Sequence, residues 1–76
     1  MYYVYVIREI KGGKLYFGYT RDLRRRLSQH HRKTLHELIY YEAYKAESDA
    51  RRRERKLKDY GQAITALKSR LRESLK

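Results

Sequence analysis

Apolar and polar positions along the chain change their period several times, and each change marks an element. Residues 2 to 10, YYVYVIREI, are dense in aromatic and β-branched side chains and short for a helix, so they predict a strand. Gly12-Gly13 supplies a turn that tolerates positive φ, and residues 14 to 19, KLYFGY, return as a second strand to make a hairpin. A turn of even length makes cross-strand partners sum to an odd number, so odd positions of the first strand share a face with even positions of the second. Tyr3, Tyr5 and Ile7 are therefore expected beside Tyr16, Gly18 and Thr20, with Val4, Val6, Leu15 and Phe17 on the opposite, core-forming face.

The period then becomes helical. Leu23 and Leu27, four apart, define an apolar stripe, and Arg26 and His30, also four apart, run along its edge. Thr20 or Asp22 caps this helix, which is expected to reach about His31. Residues 37 to 44, ELIYYEAY, predict a third strand in which Leu38, Tyr40, Glu42 and Tyr44 alternate with Ile39, Tyr41 and Ala43. Ser48 is a suitable N-cap for a helix over 49 to 59, which Tyr60-Gly61 would stop. Ile64, Leu67, Leu71 and Leu75 give a last amphipathic helix expected to dock on the sheet. The order ββαβαα implies an α+β fold, a three-stranded antiparallel sheet flanked by helices, forming one domain over residues 1–76.

Composition narrows the possible chemistry. The chain has no cysteine, which excludes a disulfide framework and a thiolate metal site and fits a reducing compartment. No stretch is apolar for long enough to span a bilayer or to act as a secretory signal, so a cytoplasmic location is expected. Lys and Arg number 20 against 9 Asp and Glu, a net charge of +11. That charge is uneven: residues 21–33 carry +5 and 50–59 carry +4, while 34–49 carry −3. Two basic helices in a small domain point to a nucleic-acid partner, with Arg21, Arg24, Arg25, Arg32, Arg51, Arg52 and Arg55 as phosphate anchors. A membrane surface fits less well, because neither basic helix has a bulky apolar face.

Three features bear on catalysis. Glu54 stands among Arg51, Arg52, Arg53, Arg55 and Lys56, yet lies four after Ala50 and three before Leu57, on the inward side of its helix. It is either paired with Arg51 or Lys58 at helical contact spacing or an oxygen ligand for a hard divalent ion, which needs only one or two protein carboxylates. Arg26 borders the buried stripe, where a guanidinium can be aimed at developing phosphoryl charge, while His30 could equally be a packed ring at a helix end. Nine tyrosines against one Phe and no Trp bias the sheet toward acidic hydroxyls and stacking faces, although aromatic alternation also builds cores. Gly18, inside a strand, marks a bulge or a close approach to the backbone.

These residues resemble the GIY-YIG nuclease superfamily, most of all its small stand-alone bacterial members. Tyr3-Val4-Tyr5 corresponds to the first motif, with Tyr3 in place of its glycine, and Tyr16-Phe17-Gly18 to the second. Arg26, eight after Gly18, His30, twelve after it, and the helix-borne Glu54 continue the correspondence over almost the whole chain. The resemblance implies a metal-dependent endonuclease that hydrolyses DNA phosphodiesters, with DNA repair as a setting. Glu54 would bind one Mg²⁺ or Mn²⁺, Arg26 would stabilise the pentacovalent phosphate, and Tyr5, Tyr16 and His30 would position or deprotonate water. The chain departs from the pattern in having no asparagine in its last part and a short connection after His31. A non-catalytic DNA- or RNA-binding module of the same fold, and a subunit whose protein partner supplies specificity, are the alternative readings.

Overall fold

A computed structural model describes residues Met1–Lys76. The hairpin consists of β1 (Tyr2–Glu9) and β2 (Leu15–Thr20), joined by a turn in which Gly13 takes a φ of 74°, a conformation open to glycine without cost. Their antiparallel pairing runs without a bulge from Tyr3 opposite Thr20 to Arg8 opposite Leu15. Tyr5 stands directly across from Gly18, so the face assignment expected from turn parity holds. β3 (His36–Tyr44) adds on the other side of β1, giving the strand order β2-β1-β3.

The sheet is the middle of three layers. On one face Val4 and Val6 pack with Ala50 and Leu57 of α2 (Glu47–Asp59) and Leu67 of α3 (Gly61–Arg70), all at most 2% exposed. Leu15, Phe17, Ile39 and Tyr40 pack around that core. The other face is covered by α1 (Leu23–Lys33), whose Asp22 N-cap accepts a hydrogen bond from the Arg25 amide at 3.1 Å. Coverage there is thin. No residue of α1 is fully buried, and Leu23 and Leu27, expected as a buried stripe, instead line an open apolar groove with Tyr3 and Tyr41.

Three other expectations are corrected. α2 starts at Glu47, not after a Ser48 cap: Ala46 holds the N-cap position without a side-chain bond, and the acidic Glu47 and Asp49 complement the helix dipole in the first turn instead. Leu75 lies beyond α3, in a closing turn where its carbonyl accepts Arg8 Nη1 at 2.6 Å. β3 does not alternate strictly. Val6 pairs with Tyr40 but Ile7 pairs with Leu38, leaving Ile39 as an extra residue in a β-bulge. Tyr40, Glu42 and Tyr44 therefore face the α2 core, whereas Leu38 joins His36 on the α1 face, opposite Ile7 and Glu9.

On the core side Glu42 ties β3 to α2. Its two oxygens lie 3.0 and 3.1 Å from Arg53 Nε, and it also accepts the hydroxyls of Tyr40, at 2.7 Å, and Tyr44. Burial works to raise this carboxyl, but the hydrogen bonds from Arg53, Tyr44 and Tyr40 outweigh it and hold the group below the ordinary carboxylate range. Burial, reinforced by the bond to Glu42, pushes the Tyr44 phenol up to about 12, so it stays a donor at every working pH. The Glu42 side chain is only 13% exposed. Glu42→Ala should therefore lower stability by about 3 kcal/mol, because it leaves Arg53 half-buried without its partner. A depressed folded value means that this contribution is complete above the unfolded value near 4.5 and disappears as pH falls through the folded one. Thermal melts of wild type and variant should accordingly converge on acidification.

Candidate active site

The register that sets Tyr5 opposite Gly18 creates the centre of the site. A Cβ on Gly18 would collide with the Tyr5 ring, coming within 2.9 Å of Cε2 and closer still to Cζ and the hydroxyl. Gly18 is thus the floor on which the Tyr5 ring lies, and the close approach expected at this glycine comes from within the chain. Lying flat, the ring carries its hydroxyl across to α1, where it meets His30 Nε2 at 2.9 Å and Arg26 Nε at 3.2 Å. Helical spacing brings those two partners side by side, one turn apart on α1.

The protons in this cluster follow from the donors available. Arg26 can only donate, so the Tyr5 oxygen accepts from Nε; a neutral His30 carrying its hydrogen on Nδ1 takes the Tyr5 hydroxyl hydrogen at Nε2. Burial first, and then the Arg26 guanidinium with smaller contributions from the neighbouring His36 and Lys33, holds the His30 imidazole below its ordinary value, which favours the neutral ring this arrangement needs. Tyr5 is only 2% exposed and so orients its two neighbours from inside. Arg26 is further fixed by Gln29, whose Oε1 lies 3.3 Å from Nη1. Arg26, Gln29 and His30, with Arg32 and Lys33, line an open groove of about 340 Å³ without a hydrophobic residue.

Tyr16 lies on the same face of the sheet but apart from this hydrogen-bonded trio. Its hydroxyl points to Glu9 Oε2 at 3.4 Å, with Lys14 Nζ 5.3 Å from its ring centre. His36 bridges the gap, its ring standing edge-on to Tyr16 at 5.4 Å and to His30 at 5.7 Å. Sequence reading missed both Gln29 and His36. Gln29 is three residues after Arg26, a spacing that signals contact; His36 needed the bulge at Ile39, which strict alternation hides.

Glu54 is not in hydrogen-bond contact with the cluster. Its side chain, 25% exposed, pairs with Lys58 at 3.4 Å and opens on a groove of about 310 Å³ shared with Tyr19, Arg51, Arg55, Lys58 and Asp59. Between the two grooves lies a third, about 500 Å³, lined by Tyr19, Arg21, Arg25, Arg26, Gln29 and Arg51 among others. Shared walls make the three continuous, from His30 past Tyr19 to Glu54.

The wall at Tyr19 is built from stacked planes. The Tyr2 and Tyr19 rings lie nearly parallel at 6.4 Å, with Arg21 5.8 Å from the Tyr2 centre and Arg51 5.4 Å from that of Tyr19. Arg51 also pairs with Glu47 at 3.6 Å, and Arg52 with Asp49 at 3.6 Å. Arg21, Arg24, Arg25, Arg32 and Arg55 make no ion pair, which leaves their charge available to an anion.

A family profile for the GIY-YIG catalytic domain matches residues 1–68. The chain belongs to the GIY-YIG family. The family is one of nucleases, hydrolases that act on nucleic acid. Comparison with curated proteins and with solved structures gives no match. GIY-YIG nucleases generally depend on a divalent metal. No three His, Asp or Glu side chains converge here, so a metal would rest on one carboxylate completed by water and phosphate. Glu54 fits that requirement: its oxygen faces an open groove, and its only ion pair is a loose one to an exposed lysine. No helix is long and apolar enough to cross a membrane.

Proposed function

We propose that the protein is a metal-dependent endonuclease that hydrolyses DNA phosphodiester bonds along the groove between His30 and Glu54. The observation that carries this reading is the Tyr5 hydroxyl held between Arg26 Nε and His30 Nε2, at the wall of a groove that contains no hydrophobic residue. Arg26 is aimed by Tyr5 and Gln29 and keeps further N–H groups for a phosphate oxygen, where charge accumulates as the attacking water adds. Neutral His30 keeps Tyr5, and through it Arg26, in place. Glu54 would hold a single Mg²⁺ or Mn²⁺, which when bound supplies charge neutralisation at the phosphate. Arg21, Arg24, Arg25, Arg32 and Arg55 carry the backbone on either side, with Arg51 and Arg52 contributing once their acidic partners release them.

The test is incubation of purified protein with end-labelled duplex, nicked, branched and single-stranded DNA and the corresponding RNAs, with and without Mg²⁺ and Mn²⁺. Cleavage of at least one DNA form, dependent on metal, is expected. A second reading, binding without turnover, is favoured by the absence of contact between Glu54 and the Arg26 cluster; binding without cleavage throughout would select it.

Binding itself should be electrostatic. Affinity should fall steeply with salt, and Arg24→Glu or Arg25→Glu should flatten the slope of log affinity against log salt by about one to two counterions. A flat wild-type response in a filter-binding titration would remove nucleic acid as the partner.

A further inference from the structure

Along the continuous groove from His30 to Glu54 the lining is charged or polar, with one exception. Tyr19 is its single hydrophobic residue, and it lines both the stretch that holds Arg26 and the stretch that holds Glu54. A strand that brings a phosphate to Arg26 and Glu54 therefore lays a neighbouring nucleotide against this ring. Arginines anchor the backbone anywhere on such a surface, whereas an aromatic plane takes the face of a base.

The ring is well fixed. Tyr19 pairs with Val4 in the hairpin, its hydroxyl donates to Glu47 at the start of α2, and the Tyr2 ring lies nearly parallel to it at 6.4 Å. The bond to Glu47, ahead of burial, raises its phenol, so the ring stays uncharged beside phosphate. Arg51 covers the ring, 5.4 Å from its centre, but is loosely placed: its side chain is 63% exposed and its ion pair with Glu47 spans 3.6 Å. A guanidinium held in this way can give up its position to a base and move to a phosphate oxygen.

A base inside an intact duplex has both faces covered by its neighbours. Tyr19, tied at its hydroxyl and packed on Tyr2, cannot leave the wall to enter the stack, so the base must come to the ring. That costs least where the base is already unpaired. The groove at this point, about 500 Å³, has the volume of pockets that enclose small molecules.

We infer that Tyr19 is a stacking platform for an unpaired base beside the phosphate bound at Arg26, and that the protein favours DNA in which such a base is on offer. The inference rests on nucleic acid lying along the groove as proposed above.

Wild type, Tyr19→Leu and Tyr19→Phe are compared in metal-free binding to one sequence as an intact duplex and as the same duplex with a short single-stranded gap, the gap carrying 5-iodouracil for photocross-linking. Wild type should prefer the gapped DNA and cross-link at Tyr19, recovered in the tryptic peptide of residues 15–21. Tyr19→Leu keeps apolar bulk but has no ring face; it should lower affinity for gapped DNA by about 5- to 150-fold, and with it the preference, and lose the cross-link. Tyr19→Phe keeps the face without the hydroxyl and should retain both. Equal affinity of wild type for the two DNAs, a cross-link that falls elsewhere, or a Tyr19→Leu protein that keeps the preference overturns the inference. Where Tyr19→Leu does not fold, the position of the wild-type cross-link decides. Adding Mg²⁺ separates the two readings: cleavage that ignores the gap overturns the platform and leaves the endonuclease, whereas gap-selective binding without cleavage supports the platform and removes the endonuclease.

Discussion

Arg26→Ala is expected to lower turnover by about two to three orders of magnitude while changing substrate affinity little. The asymmetry follows from where the charge sits. Arg26 is one of many cations on the groove, and Arg21, Arg24, Arg25 and Arg32 remain free to hold the backbone after it is removed. None of those four is held as Arg26 is, by a buried tyrosine on one side and a glutamine on the other. A guanidinium fixed in advance stabilises developing charge without reorganising during the reaction, which generic phosphate contacts do not do. Arg26→Lys should recover only a small part of the loss, because an ammonium has no Nε to meet Tyr5 while also presenting a fork to phosphate. Single-turnover rates at saturating protein, measured beside binding in metal-free buffer, separate the two effects. A variant that loses affinity and turnover together would make Arg26 one more phosphate anchor.

The same trio explains what the sequence made legible and what it hid. Tyr5 facing Gly18 follows from the parity of the Gly12-Gly13 turn, since a one-residue slip would exchange the faces of the hairpin. Arg26 and His30 side by side follow from helical spacing alone. The glycine's purpose was not readable: only the packed ring shows that the space above Gly18 is filled by Tyr5, not left open. His36 was hidden for another reason. The run Leu38-Ile39-Tyr40-Tyr41 is apolar at every position, so periodicity cannot say where the ladder gains its extra residue, and the bulge is fixed by pairing with β1 and packing of Ile39 on the core. The start of α2 was misread because a serine is a better cap in isolation than the Ala46 that takes the position; two acidic residues in the first turn compensate. Glu54, expected on the inward side of its helix, is instead only partly buried, and Lys58, one of the two partners its spacing offered, is the one it pairs with.

Glu54→Gln carries the second large effect. The substitution keeps size and hydrogen-bonding reach and removes only the charge. What it costs the fold is small, since the pair with Lys58 is an exposed helical one worth about 0.3 to 0.5 kcal/mol. What it costs the reaction is expected to be nearly everything, because the other carboxylates along the groove are engaged or exposed: Glu47 accepts the Tyr19 hydroxyl and pairs with Arg51, and Asp59 is exposed. Nucleic-acid binding without metal should persist or tighten, as a negative charge has left a basic surface.

The central claim, metal-dependent hydrolysis along this groove, is tested most directly by the cleavage rate of one end-labelled DNA by wild-type and Glu54→Gln protein across a Mg²⁺ titration, with metal-free binding measured on the same preparations. The expected result is a saturable, Mg²⁺-dependent rate for wild type, none for the variant, and binding by the variant that equals or exceeds that of wild type. A variant that cleaves at the wild-type rate and differs only by a slightly lower melting temperature would contradict it.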